Sequence, residues 1–219
     1  MGLDIAAQIV EAVTGTVYWD YVHEHVFGRC GMTGSAYYTR PQWLTDEHIA
    51  HSYMRQADGS RVDAVRNLDK GSPSPFLLGK NPGRNFIDLV GDGGFATAPD
   101  LVRFAHALQD GTVLDRPWAD VFTAAKKPNW EDKPGQRLNR DAPPGFSTYG
   151  PTAAISNGQW VLGRAGVHPG SSASWDIYPD TGWVGVVLSN YDDIPLAEIL
   201  QREKQAITGA SSGGGGGGG

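Results

Sequence analysis

The side chains best placed for chemistry stand close together in the run Arg-Ala-Gly-Val-His, which begins at Arg164. Arg164 carries a permanent positive charge that suits a carboxylate, but its guanidinium does not release a proton near neutral pH. His168 closes the run just before a Pro-Gly pair. Two interpretations of each residue stay open. Arg164 is either a site cation or a solvated strand residue, and His168 is either a site residue or a loop residue with a local hydrogen bond.

Four other histidines stand in two pairs whose spacing invites a metal hypothesis. His23 and His25 are two residues apart, and side chains at that spacing on a helix point away from each other. His48 and His51, near Asp46, could converge on a helical turn, but no third ligand is apparent. We therefore expect no metal and no cofactor.

Three predicted β-strands position the run. Their residue patterns cover residues 158–166, 172–179 and 183–190, with a Pro-Asp-Thr-Gly turn between the last two. Hairpin connections make these strands antiparallel. The third strand is apolar on both faces, and such a strand needs helices above and below its sheet. The pattern predicts an α/β fold of the α+β type, in which an antiparallel sheet is flanked by helices in three layers.

The remaining elements follow from apolar periodicity and capping residues. The sequence predicts a first helix that ends before Gly15 and three further helices over residues 17–27, 99–109 and 195–207. It also predicts a short strand over residues 49–53. Ile5, Ile9, Val10 and Val13 form the apolar stripe of the first helix. Thr16 and Thr97 are the expected N-caps of the second and third helices, because their side chains can accept from free N–H groups.

Three blocks of the chain resemble the serine β-lactamase and penicillin-binding-protein superfamily, in its D-aminopeptidase and esterase branch. The first two blocks are TGTVYWDYVHEHVFGRCGMTG and GDGGFATAPDLVRFAHALQDG. The third, GRAGVHPGSSASWDIYPDTGWVGVVLSN, is similar to the C-terminal sheet of that superfamily, where a K-T-G or H-x-G strand lines the acyl-transfer site. The resemblance extends discontinuously over residues 2–190. It implies a β-lactamase/transpeptidase-like three-layer sandwich that is incomplete in this chain.

The same resemblance implies roles for five consecutive residues. Arg164 takes the Lys or His place of the triad, Ala165 the middle place, and Gly166 the small place that lets substrate lie along the strand edge. The backbone N–H of Val167 would be one oxyanion donor, and the other would come from the absent serine. Arg164 and Val167 are therefore the expected catalytic residues, and Ala165, Gly166 and His168 the expected substrate-binding residues.

The superfamily's nucleophile and proton-transfer motifs do not occur in this sequence. No serine is followed three residues later by lysine, and no Tyr-x-Asn or Ser-x-Asn is found. In the superfamily these motifs lie upstream of a helix like the one that opens this chain. We therefore expect residues 1–208 to be the C-terminal part of a single β-lactamase-like domain whose partner is the missing N-terminal segment. Residues 209–219, nearly all Gly and Ser, are expected to be a disordered tail.

The function implied by the resemblance is acyl transfer to water through an acyl-serine. The substrate would be an ester, a D-amino peptide or a β-lactam, and the sequence does not select among these small-molecule and peptide acyl compounds. The chain alone is expected to be inactive, because it has no activated serine. The alternative is a non-catalytic β-lactamase-like protein that binds a peptide or cell-wall fragment, which the arginine in the triad favours.

Composition excludes several partners. A net charge of -6 argues against nucleic acid, because phosphate binding needs a clustered basic face. No apolar run approaches the roughly 20 residues of a membrane span. The single cysteine, Cys30, is expected to be a buried packing residue and leaves the compartment open. No signal peptide is present in the sequence, and a periplasmic or secreted parent protein stays open as well.

Overall fold

The computed structural model describes residues 2–87, 89–128 and 145–209, so the predicted tail beyond Gly209 lies outside the described residues. The helices are α1 (Gly2–Thr14), α2 (Tyr18–Val22), a π-helix (His23–Gly28), α3 (Arg40–Thr45), α4 (Pro82–Asn85), α5 (Ala98–Asp110), α6 (Arg116–Thr123) and α7 (Leu196–Thr208). The strands are β1 (Ala36–Tyr37), β2 (Tyr53–Arg55), β3 (Arg61–Asp63), β4 (Gly94–Phe95), β5 (Lys127–Pro128), β6 (Phe146–Ser147), β7 (Thr152–Ser156), β8 (Gln159–His168), β9 (Ser171–Tyr178) and β10 (Trp183–Ser189).

The main sheet has six strands in the order β10-β9-β8-β7-β6-β5. β5, β6, β7 and β8 pair antiparallel, and Thr152 of β7 lies opposite Gly163 of β8. β8, β9 and β10 follow one another through links too short for a parallel crossover, so these neighbours are antiparallel too. The predicted antiparallel sheet, with its three consecutive C-terminal strands, is confirmed.

The chain divides into two compact units. The first consists of Met1–Arg116, Ala165–Ser174 and Val186–Ile194, and the second of Pro117–Arg164, Trp175–Gly185 and Pro195–Gly219. The division passes through β8. Arg164 therefore belongs to the second unit, and the other four predicted site residues belong to the first.

A small apolar core stabilises the first unit. Its centre is the buried trio Trp43, Ile49 and Val65. Partly buried side chains pack around this trio, namely Tyr38, Leu44, Ile87 and Phe95. α5 begins at the predicted cap, because the Thr97 side chain accepts a hydrogen bond from the backbone N–H of Asp100. The cap and the helix that follows are confirmed.

In the second unit, α7 packs against β9 and β10. Ile177 and Tyr178 of β9 are fully buried, and the Tyr178 hydroxyl donates to Oε1 of Glu203 on α7 at 2.8 Å. Glu203 also lies over Gly185 of β10, where a Cβ atom would come within 2.0 Å of the same carboxylate oxygen. The predicted packing of the last helix on the sheet is therefore confirmed.

The predicted cap of the second helix is wrong. The residue before α2 is Val17, not Thr16, and it makes no side-chain cap hydrogen bond. The backbone N–H of Tyr18 instead donates to Oε1 of Glu11 at 2.8 Å. A carboxylate from α1 thus satisfies the start of the next helix, a contact between two helices that the local capping pattern does not contain. The predicted helix then changes to a π-helix at His23.

The strand predicted over residues 49–53 is wrong as well. Asp46 organises a turn there, because its backbone oxygen accepts from the N–H of Ile49 and its side chain accepts from the N–H of His48. The strand begins at Tyr53 and continues to Arg55. Ile49 packs in the core around Trp43 rather than in a sheet.

α1 forms as predicted, but most of its apolar stripe is exposed, and only Val10 is half-buried. Ile5, Ile9 and Val13 are 53%, 57% and 76% exposed, whereas Ala7 is buried. Within the described residues, no helix has the length and apolar character needed to cross a membrane.

Candidate active site

All five predicted site residues lie on the second half of β8. Arg164, Ala165, Gly166 and Val167 are all exposed. The pairing of β7 with β8 reaches only as far as Gly163, so the strand continues beyond its neighbour from Arg164 onwards. Around Gly166 an added Cβ would meet no atom within 4 Å. A ligand can therefore approach this backbone closely.

His168, at the end of β8, is held by two contacts. Its Nε2 atom lies 3.2 Å from Oδ1 of Asp92, and its ring packs on Phe86 with 4.5 Å between ring centroids. The side chain remains partly exposed. The interpretation of His168 as a loop residue with a local hydrogen bond does not hold, because the residue ends β8 and its hydrogen bond reaches Asp92, 76 positions away. Its role as a substrate-binding residue stays a prediction.

A cleft of about 640 Å³ in the first unit contains His168 and Asp92 in its wall. Most of the remaining wall is apolar or aromatic. It includes Trp43, Pro82, Phe86, Ile87, Phe95, Leu188 and Tyr191. Two buried serines, Ser52 and Ser172, add hydroxyl groups, although Ser172 Oγ already donates to the backbone oxygen of Tyr191 at 3.0 Å. An apolar wall with a few polar groups is typical of a small-molecule or peptide-binding cleft.

The turn after His168 is fixed by hydrogen bonds within the first unit. The N–H of Gly170 donates to Oδ2 of Asp192 at 3.0 Å, and its carbonyl accepts from the N–H of Tyr53 at 3.2 Å. Gly170 has a φ of +76°, and a Cβ there would lie 2.8 Å from the Tyr53 nitrogen. Glycine is the residue that fits this turn without strain. The two hydrogen bonds of Gly170 then hold the end of β8 in place.

A second cleft, of about 280 Å³, borders Val167. Arg55, Gln56 and Asp193 share its wall with the loop that begins at Ser72. Arg55 Nη1 contacts Oδ2 of Asp193 at 3.2 Å, and Arg61 also pairs with Asp193. These two arginines hold the pKa of the Asp193 carboxyl below its usual range, first through the Arg61 hydrogen bond. Arg55 and Asp193 are thus paired with each other, whereas Asp192, which also lines this cleft, accepts from the backbone N–H groups of Arg55 and Gly170.

The structure assigns the other chemical candidates to structural contacts. Nδ1 of His51 lies 2.7 Å from Oδ2 of Asp63, and its Nε2 lies 2.8 Å from the backbone oxygen of Trp43. Cys30 is buried, which raises the pKa of its thiol. Across residues 2–87, 89–128 and 145–209, no group of three acidic, His or Cys side chains could hold a metal ion. In the same residues, no serine hydroxyl is hydrogen-bonded to a histidine or lysine side chain.

Sequence reasoning missed one member of the site. The Asp92-Gly-Gly run predicts only a tight turn, yet Asp92 meets His168 from 76 positions away. The only signal in the sequence is the acidic side chain within a glycine-rich turn, which does not identify a partner.

The comparisons with known proteins agree with this fold. The β-lactamase family model matches residues 1–208. No curated protein matches the chain significantly. Several solved structures match it with low sequence identity, and at that identity they support the fold alone.

Three solved structures illustrate the likeness. A penicillin-binding protein from Bacillus halodurans shares 21% identity at a TM-score of 0.67, with 90% of this chain and 52% of that chain covered. The octameric penicillin-binding protein homologue from Pyrococcus abyssi shares 18% identity at a TM-score of 0.64, with 92% of this chain and 42% of that chain covered. The D-amino acid amidase from Ochrobactrum anthropi SV3, complexed with D-phenylalanine, shares 20% identity at a TM-score of 0.65, with 96% of this chain and 57% of that chain covered.

The chain therefore spans about half the length of the solved relatives it matches. Three observations point to the same family. The family model extends over residues 1–208, the sequence blocks stand in the order expected for that family, and the antiparallel sheet ends in β8, β9 and β10. On this evidence the chain belongs to the β-lactamase family.

Proposed function

We propose that this chain forms the substrate-binding wall of a serine hydrolase that transfers an acyl group to water through an acyl-serine. The observation that carries the proposal is the edge of β8 that β7 leaves unpaired beyond Gly163, next to the cleft of the first unit, in a chain of the β-lactamase family. An exposed strand edge with backbone donors suits an acyl group whose carbonyl oxygen must be stabilised as it becomes an oxyanion.

Each predicted residue then has a specific role. The N–H of Val167 donates to the developing oxyanion, and Gly166 leaves room for the substrate backbone next to Ala165. Arg164 supplies a fixed positive charge for a substrate carboxylate, but a guanidinium does not transfer protons. His168, oriented by the Asp92 carboxylate, contacts the substrate from the cleft wall.

The nucleophile would come from a part of the fold that these 219 residues do not contain. Residues 1–208 would form the C-terminal part of one domain, and a segment with S-x-x-K and Y-x-N would supply the serine and the proton-transfer groups. Candidate substrates are esters, D-amino peptides and β-lactams, in keeping with relatives described as a penicillin-binding protein and a D-amino acid amidase. The chain alone should be inactive, because it has no activated serine.

The reading frame upstream of the chain provides the test. If that frame encodes S-x-x-K and Y-x-N, the longer product should hydrolyse a chromogenic ester or cephalosporin, and the 219-residue chain should not. In the longer product, Val167→Pro removes the donor N–H and should lower kcat by about a hundredfold or more, as removal of an oxyanion donor does. Val167→Ala keeps the N–H and is the matched control. Turnover by the chain alone that maps to one of its own serines would overturn the proposal.

A second candidate function rests on Arg164. Because arginine occupies the place of the usual lysine or histidine, the cleft would bind a peptide or cell-wall fragment without cleaving it. An upstream frame without S-x-x-K would support this alternative. Binding of a muropeptide, measured by calorimetry and lost in Arg164→Gln, would support it further, whereas hydrolysis would exclude it.

A further inference from the structure

The ring of His51 lies between two hydrogen-bond acceptors in the first unit. Its Nδ1 atom is 2.7 Å from Oδ2 of Asp63, and its Nε2 atom is 2.8 Å from the backbone oxygen of Trp43. The His51 and Asp63 side chains are only 12% and 15% exposed. A peptide oxygen can only accept, so Nε2 must carry a proton to bond to Trp43. The charge of the ring therefore depends on whether Asp63 also accepts.

Asp63 is an acceptor at both of its side-chain oxygens. Oδ1 accepts from the backbone N–H groups of Val65 and Arg66 at 2.9 and 3.1 Å, and Oδ2 lies 3.2 Å from Nε of Arg66. Burial by itself raises the pKa of this carboxyl, but the hydrogen bonds from His51 and from the two backbone groups outweigh burial and hold the pKa below its usual range. Asp63 is therefore ionised near neutral pH, and Nδ1 of His51 must donate to it.

A histidine ring that donates from both nitrogens is an imidazolium, because the neutral ring has one N–H and one lone pair. The charged groups on the elements packed around His51 are Asp63 with Arg66 beside it, Arg40 at the start of α3, and Asp46, Glu47 and His48, all exposed, in the turn before it. At the other end of β2 and β3, Arg55 and Arg61 pair with Asp193. The charged group at hydrogen-bond distance from the ring is thus the Asp63 carboxylate, which favours the positive form.

The two hydrogen bonds of His51 support one wall of the cleft of the first unit. Trp43, Ala50, Ser52 and Asn190 all line that cleft. The indole N–H of Trp43 donates to the oxygen of Ala50 at 2.9 Å, and Nδ2 of Asn190 donates to the oxygen of His51 at 3.1 Å. The Trp43 carbonyl lies in the last turn of α3, where carbonyls have no N–H partner within the helix. The Nε2–H group of His51 therefore fixes the end of α3 to the segment that forms the wall.

We propose that His51 is a positively charged positioning residue for this cleft wall, and that loss of its proton loosens the wall. The neutral ring keeps its remaining N–H on the Asp63 carboxylate, because an ionised oxygen is the stronger acceptor. The lone pair of Nε2 then faces the carbonyl oxygen of Trp43, and the two atoms separate. The hydrogen bond to Trp43 is thus present at acidic pH, where the ring is charged, and is lost as rising pH removes the proton. This device acts on the cleft whether or not the cleft takes part in catalysis.

Nitrogen NMR of the histidine rings in the full chain tests the charge of His51 directly. At about pH 7.5, where an exposed histidine such as His48 is mostly neutral, both ring nitrogens of His51 should still carry protons. The signals that disappear in His51→Gln identify this ring. When higher pH removes the proton, the indole signal of Trp43 should shift in parallel, because its carbonyl loses the His51 hydrogen bond. A neutral His51 ring at about pH 7.5 would overturn the proposal.

Amide hydrogen exchange of residues 43–53 tests whether the proton holds the wall. After correction for the intrinsic rate, protection of this segment should fall by about tenfold or more between about pH 7 and about pH 9. In His51→Gln protection should be low throughout and independent of pH, because glutamine does not titrate. The matched control His48→Gln changes an exposed histidine three positions away and should keep the pH dependence of the unaltered chain. Protection that does not change with pH in the unaltered chain, or that changes equally in His51→Gln, would contradict the proposal. Both measurements on the unaltered chain remain decisive if His51→Gln does not fold.

Discussion

At the scale of single residues, Asp176 is the most unusual group in the second unit. It is 6% exposed on β9, and its Oδ2 atom has no hydrogen-bond partner among the residues that the structure describes. Gly163 leaves space for it, since a Cβ there would come within 1.8 Å of Oδ1. Burial raises the pKa of Asp176 to about 6, with a further contribution from the nearby Glu203 carboxylate, while Lys204 opposes the shift. The fold thus favours the neutral acid at this position.

The stability of the fold should therefore fall as pH rises through the pKa of Asp176. The pKa is raised from 3.8 to about 6, so the folded state holds a proton that the unfolded state releases between these values. Stability from this proton is present below the unfolded pKa and is lost above about 6, a change on the order of 3 kcal/mol.

Asp176→Asn resembles the neutral acid and should remove this pH dependence. The free energy of unfolding of the variant should exceed that of the wild type by about 2–3 kcal/mol near pH 8 and by little near pH 4. Urea unfolding at each pH measures this difference. Asp69→Asn removes a carboxylate from an exposed position and should change stability by less than about 0.5 kcal/mol at either pH. A gain of equal size at both pH values would contradict the assignment of the effect to ionisation of Asp176.

At the scale of elements, the start of α5 is attached to a distant loop by Asp100. The carboxylate is 1% exposed and accepts from the N–H of Gly34 at 2.8 Å and from Ser35 Oγ at 2.7 Å. Its other oxygen accepts from Arg103 at 2.6 Å. One acidic residue in the first turn of the helix therefore satisfies donors from two segments.

Loss of the Asp100 carboxylate should lower the free energy of unfolding much more than loss of the Thr97 cap. Asp100→Ala leaves buried donors unpaired and should destabilise the fold by about 3–5 kcal/mol. Thr97→Ala removes a cap hydrogen bond at the same helix end and should cost about 1 kcal/mol. Urea unfolding of both variants would compare the two values. Similar losses in the two variants would show that Asp100 acts only as part of the cap.

At the scale of the whole molecule, the chain leaves the apolar face of α1 uncovered. Ile5, Ile9 and Val13 lie on one side of the helix and are mostly exposed. The solved relatives are about twice as long as this chain, and we propose that the rest of the fold covers this face. A face of this kind favours association in water, because each square ångström of apolar surface removed contributes about 25 cal/mol.

The isolated chain should therefore self-associate through α1. Sedimentation velocity should show oligomers that increase with concentration, and Ile5→Ser/Ile9→Ser/Val13→Ser should shift the population toward monomer. Addition of a polypeptide with the remaining part of the domain should have the same effect. The control Phe76→Ser/Leu78→Ser removes two exposed apolar side chains outside α1 and should leave self-association unchanged. A concentration-independent monomer in the unaltered chain would contradict this prediction.

The elements predicted correctly are those whose evidence is local. β8, β9 and β10 follow from alternating apolar residues and turn residues within a single stretch of sequence. The start of α5 follows from Thr97, whose side chain accepts a hydrogen bond from the N–H of Asp100 three residues later. The failures are also local patterns, but ones that a distant contact replaced. Glu11, and not Thr16, accepts the hydrogen bond at the start of α2, and Ile49 of the predicted strand packs in the core around Trp43 instead.

The sequence by itself determined the family, the antiparallel sheet and the strand that contains Arg164, Ala165 and Gly166, whereas the structure extends that strand to His168. These properties depend on the order of residues, on side-chain period and on turn chemistry, all of which are present in the chain before it folds. Tertiary structure alone decided that Asp92 meets His168, that Asp100 holds Gly34, and that the apolar stripe of α1 is exposed. Such contacts join segments that are far apart in sequence, and burial depends on what the rest of the fold covers. For that reason no local pattern could have specified them.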